Sequence, residues 1–311
     1  MKNNRQYLGI DIGGTFIKIG VVSENGEVAM RCEVPIVRDG SETVMETLFR
    51  GLDSFMREHG LDAADYEGIG VSSAGCIDSA SGCIAKNGGN VPGWSHTEVT
   101  GPLTERYGLA ATIANDGNCV ALAEAWTGAA KGSDNVVCVV LGTGIGGGII
   151  AGGRLIEGAR GYGGEIGHFA THAEKGPDGS WESHYETHAS TSALVRISEA
   201  AGLPFRNGRE VFNAAEAGDK GALAALDSWT DEIAYGLAGL THIFDPEMII
   251  IGGGVSAQEE LLIKPLREKV LKMVMPDFAE GLVIKAAALG NSAGMAGAVK
   301  YHIDKTGDGR E

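Results

Sequence analysis

Residues 9–16, "GIDIGGTF", place Asp11 just ahead of a glycine pair and a threonine, at the end of an apolar run that starts at Tyr7. Apolar residues resume over 16–22, "SENGE" supplies a second turn, and a third run covers 28–34. The pattern predicts an antiparallel meander whose first turn is built from glycine. It recurs from Asn135, where "NVVCVVLGTGIGGGIIAGGRLIEG" reads as strand, glycine turn, strand, turn and strand. Two copies of one supersecondary plan predict two lobes whose glycine turns face each other across a cleft. Independent hairpins are the plainer alternative.

Outward from these meanders the chain alternates helix and strand, the mark of an α/β fold. A helix is expected over 41–59, with Ser41 as its N-cap and Val44, Leu48, Leu52 and Phe55 on one face. "YEGIGVSSAG" and "ATIAND" read as short strands, the second leading into the alanine-rich helix "GNCVALAEAWTGAA" that ends near Gly132. Helices are expected over 191–201, 221–244 and 259–273, and strands at "PEMIIIGGGVS" and 283–287. The small-residue helix "SAGMAGAVKYH" closes the fold. The polar segment 161–190 has weak periodicity and four histidines, and function often sits in such loops.

Composition narrows the function. Of 311 residues, 43% are hydrophobic and 21% charged, values of a globular protein, and the length suits two domains. A net charge of −16 with no basic cluster argues against nucleic acid and anionic membrane as partners. No apolar run approaches the roughly 18 residues of a membrane span, and no signal-peptide core precedes Tyr7, so a cytoplasmic location is expected. Five cysteines with no C-x-x-C pair fit reduced, buried thiols.

The 49 glycines cluster at strand ends: Gly13 with Gly14, 142–148 and 252–254. Such turns let successive N–H groups converge on an anion and let phosphate oxygens approach the main chain, so a nucleotide phosphate is the expected ligand. "GTGIGGG" runs into a strand and no Gly-Lys-Ser/Thr triplet exists, which disfavours both the dinucleotide fold and the P-loop. A primed hairpin turn would also explain Gly13 and Gly14. Asp11 points further, because a carboxylate ending a buried strand needs a partner, and Mg²⁺ on ATP phosphates would supply one. Thr15 and Thr143 carry hydroxyls suited to phosphate or to turn backbone. Lys18 is expected on a solvated strand face.

Taken together, "DIGGT", "NDGN", "LGTGIGGG", "EIGH" and "IIIGGGV" closely resemble the ROK family of sugar kinases and sugar-responsive repressors, over about residues 7–301. The resemblance implies two lobes of the actin and hexokinase type, each a five-stranded mixed sheet flanked by helices, with ATP and sugar in the cleft. The lobes are expected at 1–115 plus 296–311 and at 116–295. Asp116 of "NDGN" matches the catalytic base, with helix capping as its alternative role. The matching sugar positions are Gly75, Asn90, Asn115, Asp116, Glu165, His168 and Glu186. The phosphate and Mg²⁺ positions are Asp11, Gly13, Gly14, Thr15, Thr143, Gly144, Gly253 and Gly254. Homodimerisation is a family expectation.

One departure stands out. Family members often hold structural zinc with this histidine and three nearby cysteines, but 169–185 contains no cysteine. A replacement site from His168, His172, His184, His188 and Glu182 is the less favoured alternative, and no metal ligands are assigned. No DNA-reading segment fits before Tyr7, so the repressor class recedes. A non-catalytic sugar-binding module has no use for Asp11, Asp116 and three phosphate turns. The expected activity is ATP- and Mg²⁺-dependent phosphorylation of a hexose, with glucose leading and the 6-hydroxyl as acceptor. N-acetylmannosamine, N-acetylglucosamine, fructose, allose and β-glucosides are the alternatives.

Overall fold

The computed structural model describes residues 5–89, 91–176, 178–180 and 183–307. In chain order the regular elements are β1 (Gln6–Ile12), β2 (Phe16–Ser23), β3 (Val28–Pro35), α1 (Val44–His59), β4 (Ile69–Ser73), β5 (Cys76–Asp78) and β6 (Cys83–Lys86). Then come α2 (Thr100–Tyr107), β7 (Ala111–Asn115), α3 (Asp116–Trp126), β8 (Val136–Leu141), β9 (Ile145–Ala151) and β10 (Arg154–Leu155). The remainder are α4 (Tyr185–Ala189), α5 (Thr191–Ala200), α6 (Gly208–Glu216), α7 (Lys220–Phe244), β11 (Met248–Gly252), α8 (Lys264–Met273), α9 (Pro276–Ala279), β12 (Val283–Ala286) and α10 (Ala293–Thr306).

Both expected meanders are present, and each is extended by two parallel strands. One sheet has the order β3-β2-β1-β4-β7 and the other β10-β9-β8-β11-β12. In the first, β1, β4 and β7 run parallel and in register, so Ile12 pairs with Ser73 and Ser73 with Asn115. Their carboxyl ends therefore form one edge, where open α/β sheets bind ligands. In the second, β8, β11 and β12 are parallel, with Val140 beside Gly252. Each sheet has its own core. Leu8, Ile10 and Ile12 pack with Leu48, Leu52 and Phe55 of α1, while Val137, Val139, Ile249 and Ile251 pack with Trp229, Ile233 and Leu237 of α7.

The chain divides into two compact units. One comprises the described residues through Gly128, Glu157–Gly163 and Asn291 onward; the other comprises Ala129–Ile156 and Gly164–Gly290. The division falls after Gly128 rather than at the expected 115, because α3 packs against α10. At that crossing a Cβ on Gly297 would lie 1.7 Å from the Cys119 carbonyl oxygen, so only glycine permits the approach. The small-residue run of α10 is the sequence record of this contact.

Two local expectations change. The cap of α1 is Thr43, not Ser41: the Glu46 N–H donates to Thr43 Oγ1 (3.2 Å) and the Thr43 N–H to Glu46 Oε2 (2.7 Å), a reciprocal box. Ser41 instead donates to Asp39. Of the five free cysteines only Cys119 and Cys138 are fully buried; Cys32, Cys76 and Cys83 are half-buried. No helix among the described residues is long and apolar enough to cross a membrane.

Candidate active site

In the first unit the site is built on the carboxyl edge of β1, β4 and β7. Asp11, 14% exposed at its side chain, accepts from Lys18 Nζ at 3.1 Å and from Ser72 Oγ at 2.8 Å. It also lies against the start of α10, where a Cβ on Gly294 would come within 2.5 Å of its carboxyl carbon. Lys18 is therefore not on a solvated face: cross-strand pairing sets it opposite Asp11. Beyond Asp11 the turn closes with the Gly13 N–H donating to the Phe16 carbonyl at 3.1 Å. Arg38 donates to the Gly14 carbonyl, and Thr15 is exposed.

At the end of β7, Asn115 is the N-cap of α3. Its Oδ1 accepts from the N–H groups of Gly117 (2.8 Å) and Asn118 (3.3 Å), and its Nδ2 donates to the Gly75 carbonyl at 3.1 Å. Asn115 thus fixes both the helix start and the loop after β4. Asp116 is the first residue of α3, half-buried, with its Oδ1 accepting from the Gly117 N–H at 2.9 Å. The capping role considered for Asp116 belongs to its neighbour. Cys119 lies one turn on, fully buried, and burial followed by the charge of Asp11 drives its thiol far above the ordinary range, so it stays protonated.

In the second unit the β8–β9 turn, Gly142 to Gly144, is braced from α5: Thr191 N–H donates to the Gly142 carbonyl at 2.9 Å and Ser192 Oγ to the Thr143 carbonyl at 2.8 Å. Thr143 itself is exposed. Gly253 has φ +96°, and a Cβ there would lie 2.0 Å from the Leu141 carbonyl oxygen, so the β11 turn closes directly onto the end of β8. Gly254 faces open space. Glu186, from α4, reaches the same turn, its Oε2 accepting from the Ile145 N–H at 3.2 Å. His168 Nδ1 lies 3.8 Å from Glu186 Oε1. Glu165 precedes the single turn Ile166–His168, and its side chain makes no capping hydrogen bond to it. Its pKa is raised by burial, with His168 opposing and the like charge of Glu186 adding to the rise.

The histidines of this segment sort into two pairs. His168 and His184 meet edge to face at 5.6 Å, with the His184 Nδ1 at 3.2 Å from the His168 carbonyl. His172 and His188 stack at 4.1 Å beside Glu232. Asn90 and Glu182 lie outside the described residues.

A family model described as the ROK family matches residues 7–305. The chain belongs to the ROK family. A glucokinase of Thermotoga maritima is 35% identical over 97% of this chain and 98% of its own. A β-glucoside kinase of Listeria innocua is 32% identical over 94% of this chain and 95% of its own. Among solved structures, a ROK glucokinase from Streptomyces griseus in complex with glucose and AMPPNP superposes with a TM-score of 0.79, at 29% identity, covering 95% of this chain and 98% of its own. The two-sheet α/β architecture is thus the actin and hexokinase-like fold of ROK glucokinases.

Within this ROK chain the structure joins Asp11, Gly13 and Gly14 on one strand edge with Gly75, Asn115 and Asp116. It joins Thr143, Gly144, Gly253, Gly254, Glu165, His168 and Glu186 around the other glycine turns. Sequence reasoning missed Ser72, which comes onto Asp11 only through the β1–β4 register. It missed Arg38, which lies in an irregular segment without periodic signal. Lys18 was within reach, since hairpin pairing across Gly13–Thr15 puts it opposite Asp11.

Proposed function

We infer that this ATP-dependent hexose kinase phosphorylates glucose at the 6-hydroxyl, with Asp116 as general base. The observation that carries the reading is the division of labour at the start of α3. Asn115 satisfies the helix and pins Gly75, so the carboxylate of Asp116 is held on a rigid mount without serving as the cap. In the step, the sugar hydroxyl oxygen forms a bond to the γ-phosphorus and the bond to the β–γ bridging oxygen breaks. ADP departs, and the hydroxyl proton passes to Asp116.

The chain's own groups suit the nucleotide. The glycine turns at 13–14, 142–144 and 253–254 let phosphate oxygens approach the main chain; the Gly13 and Gly142 N–H groups close their own turns, so the neighbouring backbone groups are the donors assigned to phosphate. Asp11 accepts two hydrogen bonds where a carboxylate offers about four lone-pair sites, so it retains capacity toward a cation. Mg²⁺ bound with ATP supplies charge neutralisation at the transferring phosphoryl group. For the sugar, Glu165, Glu186 and His168 offer acceptors and a donor able to pair with ring hydroxyls, and Asn90 is assigned to the same task by the resemblance. Homodimerisation goes with this reading and is checked by light scattering.

The glucose complex of the Streptomyces griseus relative supports glucose; the β-glucoside kinase relative favours a β-glucoside as the second reading. The test is ADP release against a panel of hexoses, amino sugars and β-glucosides. Glucose is expected to give the highest kcat/KM, and Asp116→Asn to lower kcat by roughly 10²–10⁴ while leaving the unfolding temperature unchanged. Absence of sugar-stimulated ADP release refutes the kinase reading. Wild-type turnover in the variant removes Asp116 from its role.

A further inference from the structure

We propose that His172, His188 and Glu232 form a binding site for a zinc-class divalent cation in the second unit. The three come from separate elements: His172 from the polar segment before α4, His188 from α4 and Glu232 from α7. One ligand atom of each lies within 4.8 Å of the other two, and His172 Nε2 is 3.4 Å from Glu232 Oε2. Ligands about 2.0–2.2 Å from a tetrahedral zinc are about 3.3 Å apart, so small side-chain rotations close the set.

Ring stacking alone does not account for the cluster. His188 Nε2 and Glu232 Oε2 are both buried and take no hydrogen bond, despite the 3.4 Å approach of His172. A buried polar atom left this way carries an uncompensated desolvation penalty, and a cation satisfies both at once. The outer contacts fit as well. Thr171 Oγ1 lies 3.0 Å from His172 Nδ1, which orients that ring with Nε2 toward Glu232; with Nδ1–H donating to the hydroxyl, Nε2 keeps its lone pair for a metal. Glu174, whose Oε2 is 3.8 Å from His188 Nε2, is positioned to supply a fourth ligand. Two imidazoles with carboxylate select zinc and its neighbours over magnesium or calcium, which take oxygen ligands.

The site would act on the sugar-binding residues through α4. His188 and Glu186 are two residues apart on this short helix, so a cation joining α4 to α7 and the preceding loop would hold Glu186 against the β8–β9 turn. His168 and His184 form a separate pair outside the set.

The test uses the full chain without a histidine tag, stripped with chelator and titrated with Zn²⁺, with metal content read by mass spectrometry and geometry by the visible absorption of the Co²⁺ form. Stoichiometric uptake is expected, with a rise in unfolding temperature on Zn²⁺ addition. His172→Asn and Glu232→Gln should lose uptake, and His184→Asn should keep it. If a ligand variant misfolds by circular dichroism, protection of His172 and His188 from diethylpyrocarbonate by Zn²⁺ in the wild-type chain decides instead. Failure of the wild-type chain to take up metal would overturn the proposal. Uptake surviving in folded ligand variants, or unprotected histidines, would overturn it equally.

Discussion

Lys18 answers the question posed by a carboxylate at the end of a buried strand. Its ammonium, with the Ser72 hydroxyl, compensates Asp11 before any bound cation does. The pair is only 26% and 14% exposed, between a surface ion pair and a buried one. Lys18→Met should therefore cost about 1–2 kcal/mol, read from the urea midpoint, more than the usual exposed pair contributes. An unmoved midpoint would show that Ser72 and α10 suffice. Glu165 titrates the other way from most carboxylates, since burial raises its pKa above the ordinary 4.5. The folded state then holds the proton more tightly than the unfolded one, so this residue's contribution to stability is present below the unfolded value and declines as pH rises through the raised one. On the proposed reading, in which ionised Glu165 accepts from a sugar hydroxyl, kcat/KM for sugar should fall with an acid limb above pH 4.5, and Glu165→Gln should abolish that limb. A limb unchanged in the variant would assign it elsewhere.

The elements show which parts of the molecule sequence could specify. Both meanders and the parallel strands after them were legible because glycine turns punctuate unbroken apolar runs. Helix α2 was not: Val99 gives it no side-chain cap and proline stands inside its first turn. Helix α6 is short and follows the irregular loop 201–207, which contains a proline, although Asn207 caps it. Thr43 was readable as the α1 cap, since Glu46 stands three residues on, the spacing a reciprocal box requires, and Ser41 lacks such a partner. Glu232 had no local signal at all, because its place beside His172 and His188 arises from the packing of α7 on α4. The junction of β7 and α3 gives the sharpest test of an element against a site. Asn115→Ala removes the helix cap and should destabilise by about 1–2 kcal/mol. Asn115→Asp keeps the capping oxygen but loses the amide that donates to Gly75. It should hold the unfolding temperature and still lower kcat/KM. Equal losses of both quantities in the two variants would mean that Gly75 is not positioned through this amide.

Across the whole molecule one plan is used twice, each unit burying its own sheet against its own helices. What the units share is an excess of negative charge, −16 at pH 7. Many of the ion pairs, such as Arg5 with Glu24 at 2.8 Å and Lys264 with Glu260 at 3.2 Å, are well exposed, and such pairs contribute about 0–1 kcal/mol each. Self-repulsion acts over longer range and opposes the compact state. Salt weakens both effects, so its net influence on stability reports which is larger. Raising NaCl from about 0.01 M to about 0.15 M shortens the screening length from about 30 Å to about 8 Å, which removes repulsion between distant carboxylates while leaving pairs in contact less affected. The unfolding temperature should rise across this range and then level off. A fall would mean that the ion pairs, exposed as they are, outweigh the uncompensated charge, and that the acidic surface costs the fold little.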